Sequence, residues 1–290
     1  MGLPPQSSGV RSIQNYFGAL ENRGDESPTP ASIDPDVRAA EMRKCMEALA
    51  GTDPLVRVDA LSAGYTGDDI VHDIDLRVGK RQALCLIGPS GAGKSTVLHS
   101  IFGLTEIRRG RVEVAGRNVT RLGPNAKLRD AGIAYVLRDN SIFPEMTVEQ
   151  NLWLGGYLMG HGANARRAAE AVFDRYPGLA AYRDRPARLL SCVDLRMLEI
   201  SRALVMEPRV LLIDEPSMGL NPACIDQIFD LLRVLRDRDG LSIVVVEQNA
   251  RKALELADIA CVMVNGTIAM VGSGRELLND PVVIRLFLGG

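Results

Sequence analysis

Aromatic side chains are scarce in this chain, 4% of 290 residues with a single Trp. That scarcity removes the stacking platform on which single-stranded nucleic acid is usually held. An excess of positive charge is also missing. Thirty-four Lys and Arg stand against 36 Asp and Glu, a formal charge of −2, so the overall balance gives no drive toward a phosphate backbone. Histidines number three, and the five cysteines (Cys45, Cys85, Cys192, Cys224, Cys261) are scattered, the closest two being 32 positions apart. Such spacing offers neither a metal-ligand pattern nor a disulfide framework, and fits a reducing compartment. The opening MGLPPQSSGVRSIQNYFGAL has no basic segment followed by an apolar core, so no secretory leader is expected. Long apolar runs are absent too. The uncharged stretch from Ile259 to Gly274 holds Asn265, Gly266, Thr267, Gly272 and Ser273, and is shorter and more polar than the about 20 residues of a membrane span. What remains is ordinary globular usage, 46% apolar and 24% charged, in a chain expected to be soluble by itself.

The organisation changes along the chain. Residues 1–52 carry Pro4, Pro5, Pro28, Pro30 and Pro35 among Ser, Gly and acidic residues. They read as a mostly flexible tail with one helix-like stretch, Asp36 to Ala50. Ile13, Tyr16 and Phe17 are its candidates for a docking patch, beside the plainer reading of a solvated extension. A folded domain is expected over 53–290. In it LVRVDAL and IDLRV alternate at period two, as half-buried strands do. QALCLIG, VLLIDE and SIVVVEQ are continuous apolar runs, the pattern of parallel strands covered on both faces. Between the last two, Ile225, Ile228, Phe229, Leu232 and Leu235 form a helical stripe, with Asn221 as N-cap, Pro222 in the first turn and Gly240 at the end. VMVNGTIAMVG reads as a hairpin, because Asn265-Gly266 supplies the pair of positive φ angles of a type I′ turn. From about 139 to 206 helical patterns dominate, which predicts a helical subdomain inserted between two sheet strands.

LCLIGPSGAGKSTVLHSIF contains Gly88-x-x-x-x-Gly93-Lys94-Ser95, a phosphate-binding loop between a buried strand and an amphipathic helix. Gly88, Gly91 and Gly93 let the backbone of Pro89, Ser90 and Ala92 curl until successive N–H groups face one point. The helix beginning near Lys94, Ser95 and Thr96 adds its positive end. Lys94 can reach the terminal phosphates of a nucleoside triphosphate, and the Ser95 hydroxyl can ligate Mg²⁺. VLLIDE ends a buried strand in Asp214, a carboxylate placed to hold Mg²⁺ through water. Glu215 points the other way and is placed to polarise an attacking water, a role worth roughly 10²- to 10⁴-fold.

With these motifs in order, residues 55–290 resemble the ATP-binding subunits of ABC transporters. Ser217-Met218-Gly219-Leu220 looks like the family's D-loop, Tyr65 stands where the family stacks an aromatic ring on adenine, and Leu190-Ser191 opens its signature motif. Val246-Glu247-Gln248-Asn249, IFPEMTVEQNL, EPSMGLNP and RLFLGG resemble one branch, the importer subunits for branched-chain amino acids with the related urea and amide importers. In that branch Gln is common at the switch position, here Gln248. The resemblance implies an α/β P-loop NTPase of the ABC cassette type. Its mostly parallel sheet core has an antiparallel edge hairpin and an inserted helical subdomain. It further implies ATP and Mg²⁺ as ligands, hydrolysis with Glu215 and Gln248 as catalytic residues, and a place on the cytoplasmic face of the inner membrane. Its partners would be permease subunits, a second ATP-binding subunit and, indirectly, a solute-binding protein.

Two departures stand out. The family signature Leu-Ser-Gly-Gly is Leu190-Ser191-Cys192-Val193 here, followed by Asp194. Glycines let that backbone approach the phosphate bound to the other subunit, whereas Cys and the stiff Val each add a Cβ. Arg138 replaces a Gln that contacts Mg²⁺ and water. Arginine has five donors and no acceptor and cannot ligate a cation, although Asn140 lies two residues on. The expectation is weakened ATP sites and a heterodimer with a companion that keeps the signature intact.

Overall fold

Residues 35–138 and 141–288 are described by the computed structural model of the protein. Ile13, Tyr16, Phe17 and Asn140, singled out in the sequence, lie outside them. In chain order the principal elements are α1 (Pro35–Ala50), β1 (Val56–Gly64), β2 (Asp69–Val78), β3 (Ala83–Ile87), α2 (Lys94–Phe102), β4 (Glu106–Val114), β5 (Arg117–Asn118), α3 (Pro124–Ala131) and β6 (Ile133–Val136). An all-helical stretch follows, with α4 (Val148–Gly155), α5 (Gly162–Arg175) and α6 (Cys192–Leu204). The chain then returns to the sheet through β7 (Val210–Asp214), α7 (Pro222–Asp237), β8 (Ser242–Val246), α8 (Ala250–Leu256), β9 (Ile259–Val264) and β10 (Thr267–Gly272). No helix among the described residues is long and apolar enough to cross a membrane.

The three continuous apolar runs become β3, β7 and β8, buried at every position. They lie in a six-stranded sheet of order β10-β9-β3-β8-β7-β6. Its pairs are parallel except β9 with β10, whose turn carries Asn265 at φ 47° and Gly266 at φ 77°, as the sequence predicts. Alternate side chains of each strand enter two different cores. Leu211 and Ile213 pack with Leu198 and Ile200 of α6 and with Phe229 and Leu232 of α7. Val210 and Leu212 face the other way, toward Leu98 and Ile101 of α2 and toward a second sheet. That second sheet is antiparallel, of order β2-β1-β4-β5.

The half-buried alternation expected of the strand ending IDLRV is corrected. β1 alternates from Val56 to Asp59, but Ile74–Val78 of β2 are buried at five consecutive positions. The reason is a second cover. α1 packs Met46 and Ala50 into the core beside β2, and Arg43 donates to Asp75 at 2.6 Å. Arg77, 2% exposed, keeps its charge by donating to the Val58 and Leu76 carbonyls and pairing with Asp59 at 2.5 Å, as a buried cation must.

α7 follows its sequence reading closely. The Asn221 side chain accepts from the Cys224 N–H, and Ile228, Phe229, Leu232 and Leu235 are fully buried. At the far end of α2, Lys127 of α3 is wholly buried, its ammonium donating to the carbonyls of Ser100 (3.3 Å) and Ile101 (2.8 Å). Those carbonyls lie at the negative end of α2, where a cation is favoured. Burial still lowers the Lys127 pKa from 10.5 to about 8. Below that value both folded and unfolded chains carry the proton; between it and 10.5 only the unfolded chain does, so stability rises with pH across this window. Relative to a Lys127→Met variant, the wild-type unfolding free energy is expected to climb by up to ~3 kcal/mol over that interval. Urea titrations of both proteins at each pH measure it, and a constant difference contradicts it.

Candidate nucleotide-binding site

The phosphate-binding loop joins β3 to α2 under the tip of the β9–β10 hairpin. Gly88 sits at φ 154°, where an added Cβ would lie 2.3 Å from the Met263 carbonyl oxygen. Gly93, at φ 92°, would press a Cβ within 2.8 Å of Val71. Both glycines are therefore required by space as well as by torsion. The Gly266 N–H donates to the Ala92 carbonyl, so the hairpin turn braces the loop directly. Pro89, Ser90 and Gly91 are exposed at its crest, whereas Ala92, Lys94 and Thr96 are buried. α2 begins without a side-chain cap, which elsewhere is worth ~1 kcal/mol. Its buried Val97, Leu98 and Ile101, at about 1.5–3 kcal/mol each, outweigh that loss. The first-turn N–H groups are thus left without a capping side chain. Lys94 donates to the carbonyls of Gly88 and Pro89, both at 2.9 Å. Burial lowers its pKa, with Glu215 and Asp214 opposing.

Ser95 and Asp214, 119 positions apart in sequence, meet at 3.0 Å, the hydroxyl donating to the carboxylate. Tyr135 donates to the other Asp214 oxygen at 3.3 Å. Burial raises the Asp214 pKa, while the Ser95 hydrogen bond works against it. A hydroxyl beside a carboxylate is a hard oxygen pair suited to Mg²⁺, which takes one or two protein oxygens and leaves the rest to water and phosphate. Among the described residues no cluster of three or more His, Cys, Asp or Glu forms that would hold a metal otherwise.

Glu215 turns away from Asp214 through a positive φ of 47°. One carboxylate oxygen accepts from Gln248 Nε2 at 2.8 Å. The other is buried without a hydrogen-bond donor among the described residues. Arg138 Nε lies 3.1 Å from that oxygen, yet its hydrogen is directed to Met218 Sδ at 3.2 Å. The contact is thus an ion pair without a hydrogen bond. An undonated buried carboxylate oxygen costs roughly 1–3 kcal/mol.

Glu247 is the residue that sequence reasoning missed as a positioning group. It is 1% exposed, with one oxygen accepting from the Ser217 N–H and the other from the N–H groups of Gln248 and Asn249. It therefore fixes the D-loop-like turn and the Gln248 turn together. An acidic residue ending a buried strand just before a polar loop was the available signal.

The remaining candidates lie farther out. Tyr65, 42% exposed, hydrogen-bonds through its hydroxyl to His99 Nδ1 on α2, and His99 stacks edge-on against Tyr135. His99, a packed residue in this arrangement, links the Tyr65 ring to the Asp214 surroundings. Ser191 shares no hydrogen bond with the cluster. It caps α6, accepting from the Asp194 N–H and donating to the Asp194 carboxylate at 2.7 Å. Of the two bulky replacements beside it, Val193 is buried in the core, and Cys192 alone stands exposed. A buried network, Arg196 to Glu199 and both Glu199 and Arg202 to Ser141, ties α6 to the loop that follows Arg138.

The Glu247 arrangement yields a prediction. Glu247→Gln places an amide against three N–H donors with one acceptor oxygen instead of two, and is expected to lower stability by about 1–3 kcal/mol. Thermal unfolding of the two proteins checks it.

Comparison with known proteins agrees with this geometry. Residues 71–218 match the family described as ABC transporter. A probable branched-chain amino acid transport ATP-binding protein of Archaeoglobus fulgidus is 37% identical over 235 residues, 81% of this chain and 99% of that protein. A high-affinity branched-chain amino acid transport ATP-binding protein of Pseudomonas aeruginosa is 36% identical over 81% of this chain and its whole length. Among solved structures, the ADP conformation of an ATP-binding cassette of an ABC transporter superposes with a TM-score of 0.72 at 27% identity, covering 82% of this chain and 100% of that one. The chain belongs to the ABC transporter family, as one of its ATP-binding cassettes.

Proposed function

We propose that the chain is the ATP-binding and ATP-hydrolysing subunit that energises an importer for branched-chain or related amino acids. The observation that carries the reading is the convergence of Lys94, the Ser95–Asp214 pair and the Glu215–Gln248 pair around one loop. A triphosphate is held where its charge is offset, by the loop amides, the α2 N-terminus and the Lys94 ammonium. Ser95 and Asp214 are the residues to hold Mg²⁺, which when bound adds charge neutralisation on the phosphates. Gln248 orients Glu215 from one side, leaving the second carboxylate oxygen to accept a proton from water. Tyr65 offers its exposed ring to the base, and Ser191 serves a nucleotide held by a second cassette. The similarity to branched-chain amino acid transport proteins of two organisms supports the solute class; urea and amides are the alternative. Permease subunits, an indirectly engaged solute-binding protein and a companion cassette complete the assembly on the cytoplasmic membrane face. A heterodimer suits a chain whose own signature carries Cys192 and Val193 where the family has two glycines.

A second reading is favoured by the Arg138–Glu215 contact. A guanidinium 3.1 Å from the undonated Glu215 oxygen occupies the side from which a water would be polarised, so the chain works as a nucleotide-dependent clamp with little turnover. Calorimetry with Mg-ATP decides binding: Lys94→Ala is expected to weaken association at least tenfold, and no binding by either protein sinks both readings. Turnover in the assembled transporter separates them. A wild type faster than Glu215→Gln supports the importer ATPase, and equal rates support the clamp. Arg138→Gln is expected to raise turnover about fivefold, the equivalent of roughly 1 kcal/mol for a partly exposed charge pair.

A further inference from the structure

Two of the cysteines that look unrelated in sequence meet in space. Cys192 Sγ and Cys224 Sγ lie 3.7 Å apart. Cys192 is the first residue of α6 and exposed; Cys224 is in the first turn of α7 and half-buried. Each is presented by a capped helix start, Ser191 accepting from the Asp194 N–H and Asn221 from the Cys224 N–H. The other three thiols are elsewhere. Cys85 and Cys261 are buried within strands, and Cys45 on α1 points to the Val271 carbonyl.

We propose that Cys192 and Cys224 are an oxidisable dithiol, a modification site at which a hydroperoxide closes a reversible disulfide between the first turns of α6 and α7. A covalent bond needs the sulfurs at about 2.05 Å, so closure from 3.7 Å takes side-chain rotation and a shift of the helix starts. In the first step the Cys192 sulfur attacks a peroxide oxygen. The O–O bond breaks, one water leaves, and sulfur is oxidised to a sulfenic acid. In the second step the Cys224 sulfur attacks the sulfenic sulfur, the S–O bond breaks, and a second water carries away the remaining thiol proton. Two thiols and one hydrogen peroxide thus give one disulfide and two waters. Exposure makes Cys192 the sulfur reached first. Burial first, and the neighbouring Cys192 second, hold the Cys224 thiol above its usual pKa, which leaves Cys192 as the sulfur to meet peroxide first.

The bond would staple the helical insert, through α6, to the connection between β7 and β8. The ring so closed contains Asp214, Glu215 and the turn after them. This consequence rests on the proposed ATPase reading; formation of the bond does not.

The full-length protein is treated with hydrogen peroxide and its peptides are mapped without reduction. The expected product is a linked Cys192–Cys224 peptide pair, with two thiols lost and both recovered by dithiothreitol. In Cys224→Ser no such pair forms, and Cys192 advances to sulfinic acid. Retention of both thiols in the wild type, sulfinic Cys192 without a link, or a disulfide only between chains overturns the site. In the assembled transporter, oxidation is expected to lower turnover several-fold in the wild type, reversibly, and to spare Cys224→Ser that reversible loss. A reduced complex with no turnover would count against the ATPase reading, while the peptide map still decides the dithiol.

Discussion

The hydrogen bond from Ser95 to Asp214 is the contact from which the rest of the site is measured. It joins the first turn of the helix after the phosphate-binding loop to the end of a strand that is not its neighbour in the sheet, since β8 lies between β3 and β7. The bond holds only if all three strands keep register, and continuous burial along β3, β8 and β7 fixes that register because a slip would move every side chain into the opposite core. Once Asp214 is placed, the positive φ at Glu215 sends the next carboxylate away from it. Adjacent acids thereby acquire different partners: one a hydroxyl and a phenol, the other an amide and a guanidinium.

Buried charge around this contact is managed in two ways. Glu247 is satisfied completely, by three backbone N–H groups, and contributes rigidity. Glu215 is satisfied by half, with one oxygen left undonated. A site built only in the second manner would not hold its shape. Arg138 modifies the balance by supplying charge without a hydrogen bond, a subtler change than an outright loss of the carboxylate.

What was legible in the sequence is what depends on neighbours along the chain. The glycine pattern of the loop, the Asn221 cap and the Asn265-Gly266 turn are local demands on φ or on unpaired N–H groups, and each is written in a few adjacent residues. The continuous apolar strands were legible because both faces are covered. The contacts that escaped are those in which distant segments supply one another's partners. IDLRV looked half-buried because nothing in it announces that α1 covers it, with Arg43 reaching Asp75 from 32 positions away. Cys192 and Cys224 looked unrelated for the same reason. Arg138 was visible as a departure from a family pattern, but its partner Glu215 needed coordinates.

The strand order carries an implication for the birth of the protein. Among the described residues β3, which feeds the phosphate-binding loop, pairs only with β8 and β9, and the loop is braced by the Gly266 turn. All three come from the last fifty residues of the chain. As the chain is made, the loop sequence precedes both strands that pair with β3, and the earlier strands β1 and β2 offer it only packing contacts such as that of Gly93 with Val71. Pairing of this kind, between segments more than 150 residues apart, is slow to form, because the intervening chain must close before the contact stabilises it.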